Sequence, residues 1–577
     1  MQRMEQQLSL TAFWDAVEQR LAVCSAEELR AVVRALARAT PATAWQAFLN
    51  TMQLVAETTP VVPPGPAPEE LLVDIAALAD ELQAATAEAE GWDEYHEEDS
   101  LGPYVEFVAL LTALFNRAAA AFAAGNLTLA RTAYHNLFAT LTYEDDYGRG
   151  VRAEHLQDVA SNEAGARYLR AVYETESPAQ RPSGLFEAML QVCAWLSDAR
   201  PMLDDIIQIS PQVLPDQEQF FFDWIAFLRT QSESEADAWL REAVRLSQGT
   251  PGLETLARTE GVQRPRAYLD WCAALAAEDQ QHAVLAAAHE ALQTLPRPLP
   301  IRAAVADYLC AAAMHLHDTA ALRLGRWEAF VAKPTLARLL DVWEVTPAGA
   351  ERTGQMSQAA QHLQNALSNP PDQVTSVWAD AIERPVWPDK SVLAHAYLFA
   401  GDWDAVYRLA VPEQVLGWSS SHNTQGLVVS CCLVQMSRVS PGQLPPNLAQ
   451  LWHWELQNST GFVSWYGAVA GEASLLVRLQ HAYTECLPEV ALTRHQQAAF
   501  LAWCLDVVRR RVDAIVSNQH RGSYDRAALL LASCTEVLRL LGKAQEARAL
   551  LQDIRQQFRR HHAFQDELQV AVQRMGA

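Results

Sequence analysis

The sequence predicts an all-α protein, an α-solenoid of antiparallel helical hairpins with a small helical bundle at its N-terminal end. Apolar residues recur at three- and four-residue spacing along most of the chain, and no run alternates at period two for long enough to build a sheet. Alanines also fall where paired helices would touch. The composition agrees, with 50% apolar and 20% charged residues marking an ordered chain. At 577 residues it exceeds one compact core unless each unit packs only on its neighbours.

Residues 1–56 form the predicted N-terminal helical segment. Ser25-Ala26-Glu27-Glu28 has capping-box spacing, and Leu29, Val32, Val33 and Leu36 follow on one face. A second helix carries Trp45, Phe48, Leu49 and Met52. Residues 57–68 hold five prolines, whose missing N–H and fixed φ exclude helix and central strand, so a stiff linker is expected. Helical patterning then fills a first repeat region, 69–369. The breaks at Pro370-Pro371 and Pro385-Val386-Trp387-Pro388, around a short helix at Trp378, open a second, 370–577. Within the first, Gly249-Thr250-Pro251-Gly252 signals a turn, and 218–228 is apolar nearly all round, as in a helix buried on several sides.

The hairpin is clearest in 264–296. Tyr268, Trp271 and Ala274 line one helix, Glu278, Asp279 and Gln280 interrupt it, and Ala283, Ala287, Ala291 and Leu292 resume the stripe until Pro296. Comparable units turn at Gly125-Asn126, followed by Ala130, Ala133 and Tyr134, and at Gly542-Lys543, followed by Ala547 and Leu551. A further unit turns at Gly401-Asp402 with Ala405 one position early. Another, 301–330, turns at His317-Asp318 without a glycine and continues with Ala321 and Leu324. A glycine with an alanine five positions later resembles the tetratricopeptide repeat, whose glycine opens the turn and whose small residue seats the second helix. Spacing between turns is uneven where a regular array repeats every ~34 residues, so the resemblance implies a repeat-like solenoid. More loosely, Ala166-Arg167-Tyr168-Leu169-Arg170-Ala171-Val172-Tyr173-Glu174 is similar to helical regions of bacterial SWIM zinc-finger-associated proteins. The zinc motif of that family is absent, so its zinc and nucleic-acid roles do not transfer.

Net charge is 44 minus 69, or −25, which repels phosphate backbones and makes direct nucleic-acid binding unexpected. The run Arg509-Arg510-Arg511 spans nearly a helical turn and reads as a solvated helix end. Nine cysteines without a CxxC, mostly among apolar neighbours, read as buried thiols of a reducing, cytoplasmic setting. Segment 105–125 is the most apolar, but Asn116 and Arg117 interrupt it, so no membrane span is expected. No phosphate loop, HExxH, GxSxG or dinucleotide fingerprint occurs, and no catalytic, cofactor or metal residue is assigned. Cys431-Cys432 lies in an apolar run that would keep both thiols inert.

Two acidic stretches and a group of tryptophans stand out as partner contacts. Residues 91–99 hold five carboxylates, including Asp93, Glu94, Glu97 and Glu98, with Tyr95 among them. They fit no calcium loop and suit a basic protein segment. The stretch Tyr143-Glu144-Asp145-Asp146-Tyr147 reads the same way. Trp452 and Trp454, two apart on a helix, point to different faces, so one can pack inward while the other lines a groove with Trp418. The resulting expectation is a non-enzymatic scaffold or adaptor of bacterial type that binds another protein on a concave helical surface. The alternatives are an accessory subunit of a nucleic-acid- or nucleotide-dependent machine, with exposed arginines near 509, and an enzyme of unrecognised helical fold.

Overall fold

The computed structural model describes residues 68–87, 101, 104–145, 148–156, 158–196, 201–369, 385–420, 423–461 and 472–576. The expected N-terminal segment, nearly all of the linker, the acidic stretch with Asp93, Glu94, Tyr95, Glu97 and Glu98, and the Trp378 helix lie outside them. All the regular secondary structure among the described residues is helical, without a strand. They fall into two compact units, residues 1–177 with 184–201, and residues 178–183 with 202–577.

In the first unit α1 (Pro68–Ala87), α2 (Val105–Ala123), α3 (Leu127–Thr140) and α4 (Ser161–Thr175) pack each on the next, and α1 also meets α3 while α2 meets α4. Trp195 of the following helix, α5 (Arg181–Trp195), stacks on Phe138 with ring centroids 5.5 Å apart. By length and composition α2 could cross a membrane, the only such helix among the described residues. It nevertheless buries Phe107, Leu111, Leu114, Phe115 and Ala118 within the unit, and its Arg117 pairs with Asp74 at 2.6 Å. Asp145, expected in an acidic stretch facing a basic partner, is instead buried: it accepts from Tyr104 Oη at 3.1 Å and from the Arg149 backbone N–H at 2.9 Å. A carboxylate that staples a loop in this way has no charge left to share with a partner.

The second unit begins with α6 (Leu203–Gln208), α7 (Gln217–Leu228) and α8 (Ser234–Glu260). The turn expected at Gly249 is a kink inside α8, where Gly249 leaves helical geometry at φ 63°, ψ −155° just before Pro251. Helix α7 buries Phe220, Phe221, Trp224, Ile225 and Leu228 but leaves Phe222 71% exposed, so it has one free face despite its apolar circumference. From here α9 (Arg266–Ala277), α10 (Gln281–Thr294), α11 (Arg302–His315), α12 (Thr319–Ala332), α13 (Leu336–Val345) and α14 (Ala350–Ser368) each pack on the next. In α10 the seam is Val284, Ala287, Ala288, Ala291 and Leu292, with Ala283 half-buried. In α12 the buried residue is Gly325, not the expected Leu324, which is 38% exposed. A Cβ at Gly325 would meet Cys310 Sγ at 2.6 Å, so α11 and α12 approach closer than any side chain allows.

The remaining helices are α15 (Lys390–Phe399), α16 (Trp403–Ala410), α17 (Gln425–Ser437), α18 (Pro446–Ser459), α19 (Glu472–Cys486), α20 (Arg494–Ser517), α21 (Tyr524–Leu540), α22 (Ala544–Gln557) and α23 (His562–Arg574). Here packing leaves sequence order. Helix α21 is buried along most of its length and meets α17, α18, α20, α22 and α23, while α19 reaches back to α13. Buried polar groups make these distant pairings specific. Pro446 at the first position of α18 has no N–H to offer, and the next two, Asn447 and Leu448, donate to the Glu536 carboxylate of α21 at 3.2 and 2.9 Å. Glu242 of α8 caps α6 likewise, accepting from Leu203 and Asp204.

Six hairpin turns share one backbone. A residue in the left-handed region (Gly125, Asp279, His317, Gly401, Gln519 or Gly542) ends a helix. The next residue's N–H then bonds the carbonyl five back, as Asn126 does to Ala121, Gln280 to Leu275 and Asp318 to Ala313. The residue five after the turn seats the following helix. Ala130, Val284, Val406 and Ala547 are all buried there, so at Gly401 the seat is Val406 and the half-buried Ala405 is beside it.

Candidate functional site

Two of the three tryptophans singled out in the sequence meet in one small cavity of the second unit. It has a volume of about 160 Å³ and is lined by Trp418, Gln450, Leu451, Trp454, Arg511, Asp525, Arg526 and Leu529. Trp418 comes from the loop after α16, Gln450, Leu451 and Trp454 from α18, Arg511 from α20, and the others from α21. The non-sequential packing therefore builds the notch. Trp452 takes the inward position on α18, edge-on to Tyr483 at 4.9 Å, and Trp454 is half-buried on the neighbouring face.

Each tryptophan carries a guanidinium. Arg511 lies over the Trp418 ring with its Cζ 3.9 Å from the centroid, and Arg526 lies over Trp454 at 5.0 Å. The expectation of a solvated helix end therefore fails at its last member. Arg509 and Arg510 are exposed, but α20 continues through Arg511, which lies about 100° further round the helix, is only 4% exposed and donates to the Val415 carbonyl. Burial brings its pKa down to about 10. Trp418 is buried too, and its indole Nε1 has no acceptor.

Behind the notch sits Glu455, 2% exposed, with no partner for its Oε1. Burial pushes its pKa up to about 8, against the opposing pull of Arg511 and Arg526, so at neutral pH it is mainly protonated. Its carboxyl group presses on Gly426 of α17, where an added Cβ would meet Glu455 oxygens at 2.6 and 2.7 Å and Trp418 at 2.8 Å. Only glycine fits there.

Sequence reasoning singled out the tryptophans and missed Arg526, Glu455 and Gly426. Two signals were available: Glu455 falls on the apolar stripe Leu448, Leu451, Trp452, Leu456, and Gly426 stands alone before the apolar run from Leu427. Nothing in the spacing of Arg526 relates it to Trp454.

A groove of about 320 Å³ in the first unit, lined by Arg131, Thr132, His135, Tyr168, Glu176, Glu187 and Gln191 among others, is a second polar candidate, beside a larger groove of about 570 Å³ lined by Thr142, Glu144, Arg152, Glu154 and Asn162 among others. The polar groups of the smaller groove largely satisfy one another. Tyr168, whose pKa burial pushes up to about 12, donates to Gln191 at 3.2 Å, Arg131 binds Thr175 and Glu176, and the Thr132 hydroxyl donates to Thr128. Among the described residues no group of three or more His, Cys, Asp or Glu is arranged to hold a metal ion. Cys431 and Cys432 are fully buried, with the Cys431 pKa pushed well above its ordinary value, so neither is placed as a nucleophile. No protein-family model matches the chain, and no curated protein matches it.

Proposed function

We propose that this chain is a non-enzymatic scaffold whose helical hairpins stack in tetratricopeptide-like fashion as an α-solenoid and present a surface for another protein. The observation that carries the reading is the recurrence of one turn geometry at six hairpins, with helices from α9 to α14 packed in chain order. The Trp418–Trp454 notch is the anchoring point on that surface. Its volume of about 160 Å³ is well below the ~300–1,000 Å³ of small-molecule sites and suits one side chain or chain terminus. Tryptophan and arginine are also the residues that most often dominate binding energy at interfaces. Arg511 is removed from any exposed basic stripe by its burial, which weighs against the accessory-subunit alternative.

The test is affinity capture from the native host with wild-type protein and a Trp454→Ala bait side by side. A protein retained by the wild type and lost from the variant supports the scaffold. If the two baits recover the same proteins, the notch is not the anchor; if neither recovers any, the scaffold reading falls.

A further inference from the structure

Several arginines elsewhere in the second unit have carboxylate partners, while others, such as exposed Arg438 and Arg574, donate to neutral glutamines. Arg302 pairs with Glu328, Arg338 with Asp307, Arg352 with Glu485, and Arg478 with Asp341 and Glu344. Among the described residues Arg511 and Arg526 have no ion pair with any Asp or Glu. The two are close enough for Arg526 to depress the Arg511 pKa, so like charges converge on one small cavity. Such an arrangement costs free energy unless something negative offsets it, and the chain around it carries a net charge of −25.

From this juxtaposition we infer that the notch binds a carboxylate presented by the protein partner, held between the Arg511 and Arg526 guanidiniums, which the Trp418 and Trp454 ring faces hold in place. The inference rests on the scaffold reading for the source of that carboxylate and on the notch alone for its chemistry. A cationic side chain is disfavoured because the ring faces that would attract it already carry guanidiniums. Among the lining residues the two arginines against Asp525 at the exposed rim leave a single positive charge, which suits a monoanion; Glu455, mainly protonated, does not cancel it, and Arg574 stands outside the lining on Gln450. A doubly charged phosphate would meet Asp525 with its excess charge. Gln450 adds a neutral donor, because its Oε1 accepts from Arg574 at 2.8 Å and so leaves the amide N–H groups to the notch side of the charge balance.

Proton linkage follows from the same groups. Arg511 faces Glu455 from α20, Arg526 from α21 and Cys431 from α17, with Asp525 at the rim on α21. When Glu455 ionises, its charge opposes a second carboxylate on the same two arginines. Affinity therefore falls as pH rises through about 8.

The experiment follows the Trp418 and Trp454 indole N–H resonances of the full chain, assigned with Trp454→Phe, at constant ionic strength and pH 7. Four probes are titrated: N-acetylglycine for a chain terminus, N-acetylglutamic acid α-amide for a side-chain carboxylate, inorganic phosphate, and N-acetyllysine amide. Saturable shifts with either carboxylate probe are expected, and the stronger of the two identifies the source. Arg526→Gln should weaken binding about tenfold or more, the loss of one charge-assisted contact. Arg509→Gln, which removes an equal charge from the exposed side of α20, should leave it unchanged. Arg526 is half-buried, so its substitution spares the fold where loss of Arg511 would not. Binding of the phosphate or lysine probe alone, no saturable shift, or equal weakening by both variants would overturn the assignment. Absence of probe binding together with partner capture that still depends on Trp454 would refute the carboxylate and leave the scaffold standing.

Discussion

The helices α9 to α12 and the helices α17 to α23 use the same building material in opposite ways. In the first set neighbours in space are neighbours in sequence, and buried charge is settled locally: Arg302 donates to the Leu292 and Leu295 carbonyls and pairs with Glu328, 26 residues on. In the second set the ties are long. Glu536 accepts from Asn447 of α18, 89 residues earlier, Arg511 of α20 bonds a carbonyl 96 residues away, and Tyr483 of α19 reaches back 88 residues to His395 of α15. A stack of local contacts can lengthen without forming a site, whereas a knot of distant contacts brings unlike residues together. The notch lies in the knot.

The largest expected effect breaks the longest tie. Glu536→Ala strands the Asn447 and Leu448 N–H groups in a buried place and leaves the Asn447 amide only its bond to the Ala571 carbonyl, and should cost about 3–5 kcal/mol in denaturant melts. Asp318→Ala, which removes a hairpin cap from the Ala320 and Ala321 N–H groups in the locally packed set, should cost only about 0.5–2 kcal/mol. Equal losses would erase the contrast between the two regions.

Next comes Gly426→Ala, whose Cβ runs into Glu455 and Trp418; a loss of about 1–3 kcal/mol and a shifted Trp418 signal are expected. An unchanged melt would mean α17 and α18 are not in close contact.

A third test sharpens the comparison through pH. Buried His395 accepts or donates at Nδ1 to Tyr483 Oη at 2.7 Å, and burial lowers its pKa to about 3. The unfolded chain protonates this histidine below about pH 6.5 and the folded chain does not, so stability contributed by its neutral state is lost as pH falls from there towards 3. Glu455 acts over the opposite window. Its pKa is raised to about 8 from 4.5, so the folded state holds a proton that the unfolded state has released, and stability falls as pH rises between those values. In Glu455→Gln the decline between pH 5 and 8 should flatten while the acid limb persists; His395→Leu with Tyr483→Phe should do the reverse. Melts across pH 4–9 check both.

The smallest effect concerns the turns. His317→Gly relieves a left-handed side-chain residue and should gain about 0.5 kcal/mol after the unfolded-chain penalty, while Gly542→Ala at φ 75° should lose about 1 kcal/mol. Paired thermal melts decide it.

What was legible in the sequence follows the same division. Gly125, Gly401 and Gly542 announced their turns because only glycine reaches the left-handed region freely; the turns at Asp279 and His317 showed instead through the polar residues that interrupt the apolar stripe, and the turn at Gln519 was not anticipated. Stripes of alanine and aromatic residues marked seams between adjacent helices, since spacing along one helix is enough to define a face. The placement of Arg511 could not be read that way. Its burial depends on α18 and α21 arriving from elsewhere in the chain, so a basic run looked solvated when one of its members closes a site. Trp418 and Trp454 were legible as residues with no obvious core role, and their meeting was not, because no periodicity connects a loop to a helix across 36 positions.

The claim beneath all of this is that long-range buried ties hold α17, α18, α20 and α21 as one unit around the notch. Native-state hydrogen exchange on the full chain addresses it directly. The account predicts that amides of 425–437, 446–459 and 524–540 exchange in one slowest, cooperative class, with α9 to α12 opening in smaller pairs at lower free energy. If 446–459 opens independently of 524–540, or if α9 to α12 are as protected as they are, the knot does not exist as described.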